Sequence, residues 1–156
     1  MKFYTFTPNG FEKLKKLLKE AEEEYKSILT EGYKSGAEQD GHHDEGFQKS
    51  LSNAMVQSKR IRELQELNNN AHIVYPENQN EVVKIGNGVS LEYGDGTIKI
   101  LILEGYLMGD YDENVISIYS PLGKAILGSK RGDEKTITLP KSRIKVKITD
   151  IILPAA

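Results

Sequence analysis

Between Gly36 and Gly46 the chain reads Gly36-Ala37-Glu38-Gln39-Asp40-Gly41-His42-His43-Asp44-Glu45-Gly46, a short acidic stretch bounded by glycines. The carboxylates of Asp40, Asp44 and Glu45 are hard oxygen donors for a cation. The imidazoles of His42 and His43 titrate near neutral pH and can ligate a metal or move a proton. An acidic loop is more commonly a solvated turn, and paired histidines a polar one. Whether this stretch does chemistry therefore depends on what holds it and where.

Two long amphipathic patterns flank it. Thr7 is placed to cap a helix with Pro8 at its first position. Apolar residues then recur at Phe11, Leu14, Leu18, Ala21, Tyr25 and Ile28, with Leu17 and Leu29 widening the stripe. Steps of three and four make a heptad-like seam, which Gly36 is expected to end. The second pattern starts near Asp44, a candidate N-cap, and runs Phe47, Leu51, Ala54, Ser58, Ile61, Leu64 or Leu67, and Ala71. Two such seams joined by a short loop predict an antiparallel αα-hairpin about 40 Å long. The acidic stretch is its tip.

After Pro76 the texture changes. Alternating or apolar runs predict strands at 89–93, 97–103, 115–119, 135–139 and 143–153, with turn residues Gly94-Asp95-Gly96 and a short helix at 121–127. The expected fold class is α+β: a coiled-coil hairpin over residues 1–76, a linker over 77–81, and a small, mostly antiparallel sheet domain over 82–156.

Composition narrows the chemistry. Of 156 residues none is cysteine, which removes disulfides, thiol catalysis and cysteine-based zinc sites. No apolar run reaches the roughly 18–20 residues of a membrane span, and the start lacks a signal-peptide pattern, so a cytoplasmic location without membrane association is expected. Net charge is −2, yet residues 77–123 carry 2 basic and 8 acidic side chains while residues 124–156 carry 8 and 3. Basic residues Lys49, Lys59, Arg60 and Arg62 lie on the second helix, where a solvated flank is the default.

The segment Ser120-Pro121-Leu122-Gly123-Lys124-Ala125-Ile126-Leu127-Gly128, followed by Gly132-Asp133, resembles the C-terminal signature of the bacterial GreA/GreB transcript-cleavage factors. Thr7, Gly10 and Leu14 are similar to that family's opening Thr-x-x-Gly-x-x-x-Leu. The resemblance implies an N-terminal coiled coil entering the secondary channel of RNA polymerase and an FKBP-like C-terminal domain docking on the channel rim. Ser120, Pro121, Leu122, Gly123, Ile126 and Gly128 would form the docking segment. The factor would have no cofactor of its own. As a monomer and not itself an enzyme, it would stimulate cleavage of backtracked RNA near the nascent 3′ end by assisting Mg²⁺ in the polymerase active site. Two-metal hydrolysis needs a stabilised cation and an activated water, which tip carboxylates can support.

The family tip reads Asp-x-x-Glu-Asn-x-Glu-Tyr. With Phe47 at the Tyr position, Asp40 falls on the Asp, His43 on the first Glu, Asp44 on the Asn and Gly46 on the later Glu. Three readings are open: Asp44 or Glu45 supplies the second carboxylate beside Asp40, the tip occupies the channel and regulates polymerase without cleavage, or His43 takes part directly. The catalytic carboxylates are assigned to Asp40 with Asp44 or Glu45, and contact with the shared Mg²⁺ to Asp40 and Asp44. An FKBP-like fold also raises prolyl isomerase activity, but the C-terminal half has no Trp or Phe to line such a pocket.

Overall fold

The computed structural model describes residues 2–37 and 44–155, with backbone only for 33–37 and 44. In chain order it contains β1 (Tyr4–Phe6), α1 (Pro8–Ala37), α2 (Asp44–Asn69), β2 (Ala71–Ile73), β3 (Gly88–Tyr93), β4 (Ile98–Glu104), β5 (Val115–Ser117), α3 (Pro121–Ile126), β6 (Glu134–Thr138) and β7 (Arg143–Ile152). The α+β expectation is met, helical hairpin first and sheet second. The chain forms two units, one of Glu12–Asn70 and the other of the residues up to Phe11 together with those from Ala71 onward. These boundaries differ from the expected 76 and 82, because the extended lead and the exit from the hairpin pair with each other.

In the helical unit, Leu14, Ala21, Ala54, Leu64 and Leu67 are buried, while Leu17, Leu18, Tyr25, Ile28, Ser58 and Ile61 are half-buried along the same seam. A Cβ on buried Gly32 would stand 3.2 Å from Ser50 Cβ, so late α1 lies against early α2 and the helices run antiparallel. Here the backbones approach closely and large side chains are displaced to the flanks. Phe47 and Leu51, expected in the seam, are 44% and 45% exposed and line a shallow apolar depression of about 240 Å³ with Ile28 and Leu29. Helix α1 continues one residue past Gly36, its expected end.

In the other unit, β1 and β2 pair in parallel, with Tyr4, Thr5 and Phe6 opposite Ala71, His72 and Ile73. The main sheet has the order β5-β4-β3-β7-β6. Three of its pairings are antiparallel and β4–β5 is parallel, a mixed sheet rather than a wholly antiparallel one. Val89, Leu91, Leu101, Leu103, Val146, Ile148 and Ile151 face one core, joined by Val83, Ile126 and Ile137.

Alternation along β7 is interrupted once. Ser90 pairs with Asp150 and Leu91 with Ile148, which leaves Thr149 as an extra residue. This bulge lets Ile148 and Ile151, three apart, both point inward. Thr149 Oγ1 lies 2.9 Å from Ser90 Oγ and satisfies the irregularity. On β4 only Leu101 and Leu103 enter the core, whereas Ile98, Ile100 and Ile102 face outward. The nearly continuous apolar run of β4 therefore does not mean burial on both faces.

Candidate functional site

At the hairpin tip, α2 begins at Asp44, where the helix dipole favours a carboxylate. Glu45 follows and is exposed. Asp40, His42 and His43 lie outside the described residues. Among the described residues no group of three or more His, Asp or Glu side chains could hold a metal ion. A tip of this kind can add one or two carboxylates to a cation held elsewhere, but its described part is not a cage. Lys49, Lys59, Arg60 and Arg62 are exposed on α2, and Arg62 reaches Ser58 at 3.4 Å.

The 120–128 segment is built from its own hydrogen bonds. Ser120 caps α3: its Oγ accepts from Gly123 N at 3.0 Å and donates to Ser117 O at 2.7 Å. Pro121 follows at the first helical position, where its missing N–H costs nothing. A Cβ at Gly123 would collide with Ser117 O, so no larger residue fits without moving the strand. Ile126 is fully buried in the sheet core. Gly128 takes φ +78 and donates its N–H to Val83 O at 2.8 Å.

The chain then turns through Gly132, at φ +91. Asp133 Oδ2 accepts from Lys130 N at 2.8 Å, and Arg131 pairs with Asp150 at 2.8 Å. Among the six expected docking residues, Gly123 and Ile126 are therefore interior, Ser120 and Leu122 half-buried, and Pro121 and Gly128 exposed. The outward surface of the segment also includes Tyr119, Lys124 and Leu127.

The opening motif is structural as well. Thr7 Oγ1 accepts from Gly10 N at 3.1 Å and donates to Glu104 Oε2 at 2.7 Å, tying the first turn of α1 to the end of β4. Gly10 sits where a Cβ would press Thr7 Oγ1 at 3.3 Å and Tyr111 Oη at 3.6 Å. Burial, and then the Glu104 charge, push the Tyr111 phenol above its ordinary pKa. Leu14 is fully buried.

Around this clasp, Tyr106 meets the rings of Tyr4, Phe6 and Tyr119 at centroid distances of 5.2, 5.8 and 5.9 Å. Thr5 N donates to Tyr119 Oη, and Tyr106 N donates to Thr5 O at 2.6 Å. His72 is exposed in β2.

A fully buried amide, Asn87, organises the expected linker. Its Nδ2 donates to Gln79 O and Ile152 O, and its Oδ1 accepts from Lys84 N and Gln79 Nε2. Sequence reasoning passed over Asn87 and Glu104 alike. Glu104 has no local signal, since Thr7 lies 97 residues away, and the burial of Asn87 is completed by Ile152 O, 65 residues on.

Residues 78–152 match the family described as "Transcription elongation factor, GreA/GreB, C-term". The transcription elongation factor GreA of Staphylococcus carnosus is 31% identical over 162 aligned residues, covering 96% of each chain. The chain belongs to the GreA/GreB family. The factor GreA of Geobacillus kaustophilus is likewise 31% identical, over 96% of this chain and 97% of its own. Among solved structures, GreA factor homolog 1 of Thermus thermophilus is 24% identical with a TM-score of 0.46, over 96% of this chain and 99% of that one. The GreA/GreB factor of Nitrosomonas europaea is 19% identical with a TM-score of 0.40, over 97% and 99%. In this chain the family's Ser-Pro signature thus coincides with the capped α3 turn, and its opening Thr-x-x-Gly with the Thr7–Glu104 clasp.

Proposed function

We propose that this elongation factor acts on bacterial RNA polymerase by entering the secondary channel with the α1–α2 hairpin and stimulating cleavage of backtracked nascent RNA. The observation that carries the reading is full-length GreA kinship combined with a hairpin whose second helix opens on Asp44 and Glu45. Asp40, with Asp44 or Glu45, presents carboxylate oxygens toward the polymerase active site, where Mg²⁺ supplies Lewis-acid chemistry and lowers the pKa of a bound water. The chain itself orients those oxygens and turns over nothing alone. It works as a cytoplasmic monomer, in contact with the RNA 3′ end.

Docking on the channel rim falls to the exposed part of the 119–128 segment. Pro121, Lys124 and Leu127 face outward, held from beneath by Gly123 and Ile126.

The test is to add the full-length protein to stalled, backtracked polymerase complexes with Mg²⁺ and follow transcript length. Shortening above the polymerase's intrinsic rate is expected, and it should be lost in Asp40→Ala but kept in His43→Ala. The presence of His43 at the position of the family's Glu favours a second reading, a channel-binding regulator without cleavage. Binding to polymerase with no added shortening would select that reading and reject the first.

A further inference from the structure

The β6–β7 hairpin is strongly basic. Residues 135–147 include Lys135, Lys141, Arg143, Lys145 and Lys147 and no carboxylate. All but Lys135 are exposed, and among the described residues none of the five forms an ion pair. Pairing of β7 with β3 stops at Val146, opposite Tyr93, while pairing with β6 continues to Arg143. The distal ribbon therefore extends past β3 with β6 as its neighbour.

Side chains two apart on a strand share a face, so Arg143 and Lys145 project together, opposite Thr138 and Thr136 of β6. Toward the sheet the positive stretch ends: Lys147 lies between Glu92 on β3 and Glu134 on β6. Lysines often protect an edge strand from mispairing. Arg143 and Lys145 lie where β7 has lost β3 as a neighbour, and edge protection alone predicts no salt-sensitive RNA binding by them.

We propose that this ribbon is a nucleic-acid-binding arm that holds a phosphodiester backbone through Lys141, Arg143 and Lys145 without reading sequence. Cations two residues apart on a strand are spaced about 7 Å, a spacing at which successive side chains meet neighbouring phosphates of one backbone. Thr136 and Thr138 add hydroxyl donors of the kind that bind phosphate oxygens. The face offers no exposed aromatic or aliphatic anchor between its cations, which a protein partner would need for a buried hot spot. This arm is separate from the hairpin tip, and its test needs no polymerase.

The experiment is fluorescence anisotropy of a labelled single-stranded RNA with the full-length protein alone. With about three phosphates neutralised, Kd should rise roughly 20-fold from about 50 to about 200 mM salt, for any base sequence. The variant Lys141→Gln/Arg143→Gln/Lys145→Gln should weaken binding about 10-fold or more at low salt and flatten the salt slope. Lys147→Gln should do much less, given its two carboxylate neighbours. Lys141→Arg/Lys145→Arg should keep binding, and circular dichroism should show every variant folded.

An α1 control, Lys16→Gln/Lys19→Gln/Lys26→Gln, changes net charge equally and should leave Kd within about twofold. Equal weakening by both triple variants would overturn the proposal in favour of bulk charge. So would displacement of the RNA by polyglutamate at matched charge, which would point to an acidic protein surface, or the absence of salt-sensitive binding by the unaltered protein.

Discussion

Ser120 shows how a residue that looks like a nucleophile is consumed by structure. Its hydroxyl is engaged both as donor and as acceptor within one turn, and no His lies later in the chain than His72. Ser120→Ala should cost about 1–2 kcal/mol in urea unfolding, from loss of the cap and of one of the two hydrogen bonds that Ser117 O accepts from Ser120. Ser120→Thr, which keeps the oxygen, should recover part of that.

Asp95 makes a pH-dependent contribution in the β3–β4 turn. Thr97 N donates to its Oδ1 at 2.9 Å, and that backbone bond, first among the causes, holds the carboxyl below its usual value. Because the folded value is the lower one, the stabilisation is present above about pH 4 and fades as pH falls through the depressed value. The Tm advantage of the unaltered protein over Asp95→Ala should thus be visible at neutral pH and close on acidification. A gap that widened at low pH would contradict the sign.

At the scale of elements, the hairpin was legible because seams at steps of three and four have no other economical use, and both helices appear where those seams placed them. What the pattern could not convey was how near the two backbones come at Gly32. In sequence this glycine reads as a weakness in a helix. In the structure its missing side chain admits Ser50.

Two effects compete in Gly32→Ala: a helix-propensity gain of about 1 kcal/mol and a 3.2 Å contact that must relax. That variant should lie within about 1 kcal/mol of neutral, whereas Gly32→Leu should cost about 1–3 kcal/mol by overpacking. Urea unfolding followed by helical circular dichroism separates the two. In the sheet, the Thr149 bulge likewise left no mark in the sequence beyond two inward isoleucines three apart, a spacing that also suits a helix.

For the whole molecule, the decisive feature is that the lead before the hairpin and the exit after it are both held within the sheet unit. β1 and β2 pair, Thr5 accepts from Tyr106 N, and Thr7 bonds Glu104. Deleting residues 1–6 should therefore lower the Tm of the sheet unit and not merely fray a terminus. In native-state hydrogen exchange, Tyr106 N–H and Val74 N–H, whose acceptors are Thr5 O and Phe6 O, should lose protection first. Unchanged protection at both would refute the anchoring.

The sequence by itself determined most of the elements and the Ser-Pro turn, because helical and strand periodicity, caps and turn glycines are all set within a few residues. Tertiary structure decided which apolar residues are buried, which glycines are contact points, and that 77–81 is held by Asn87 and Gln79 rather than hanging as a linker. Those outcomes rest on partners that meet only in the fold, from Gln79 and Asn87, 8 residues apart, to Asn87 and Ile152, 65 apart. No local pattern encodes them, since a hydroxyl or amide looks the same in sequence whether water or a distant carboxylate completes its hydrogen bonds.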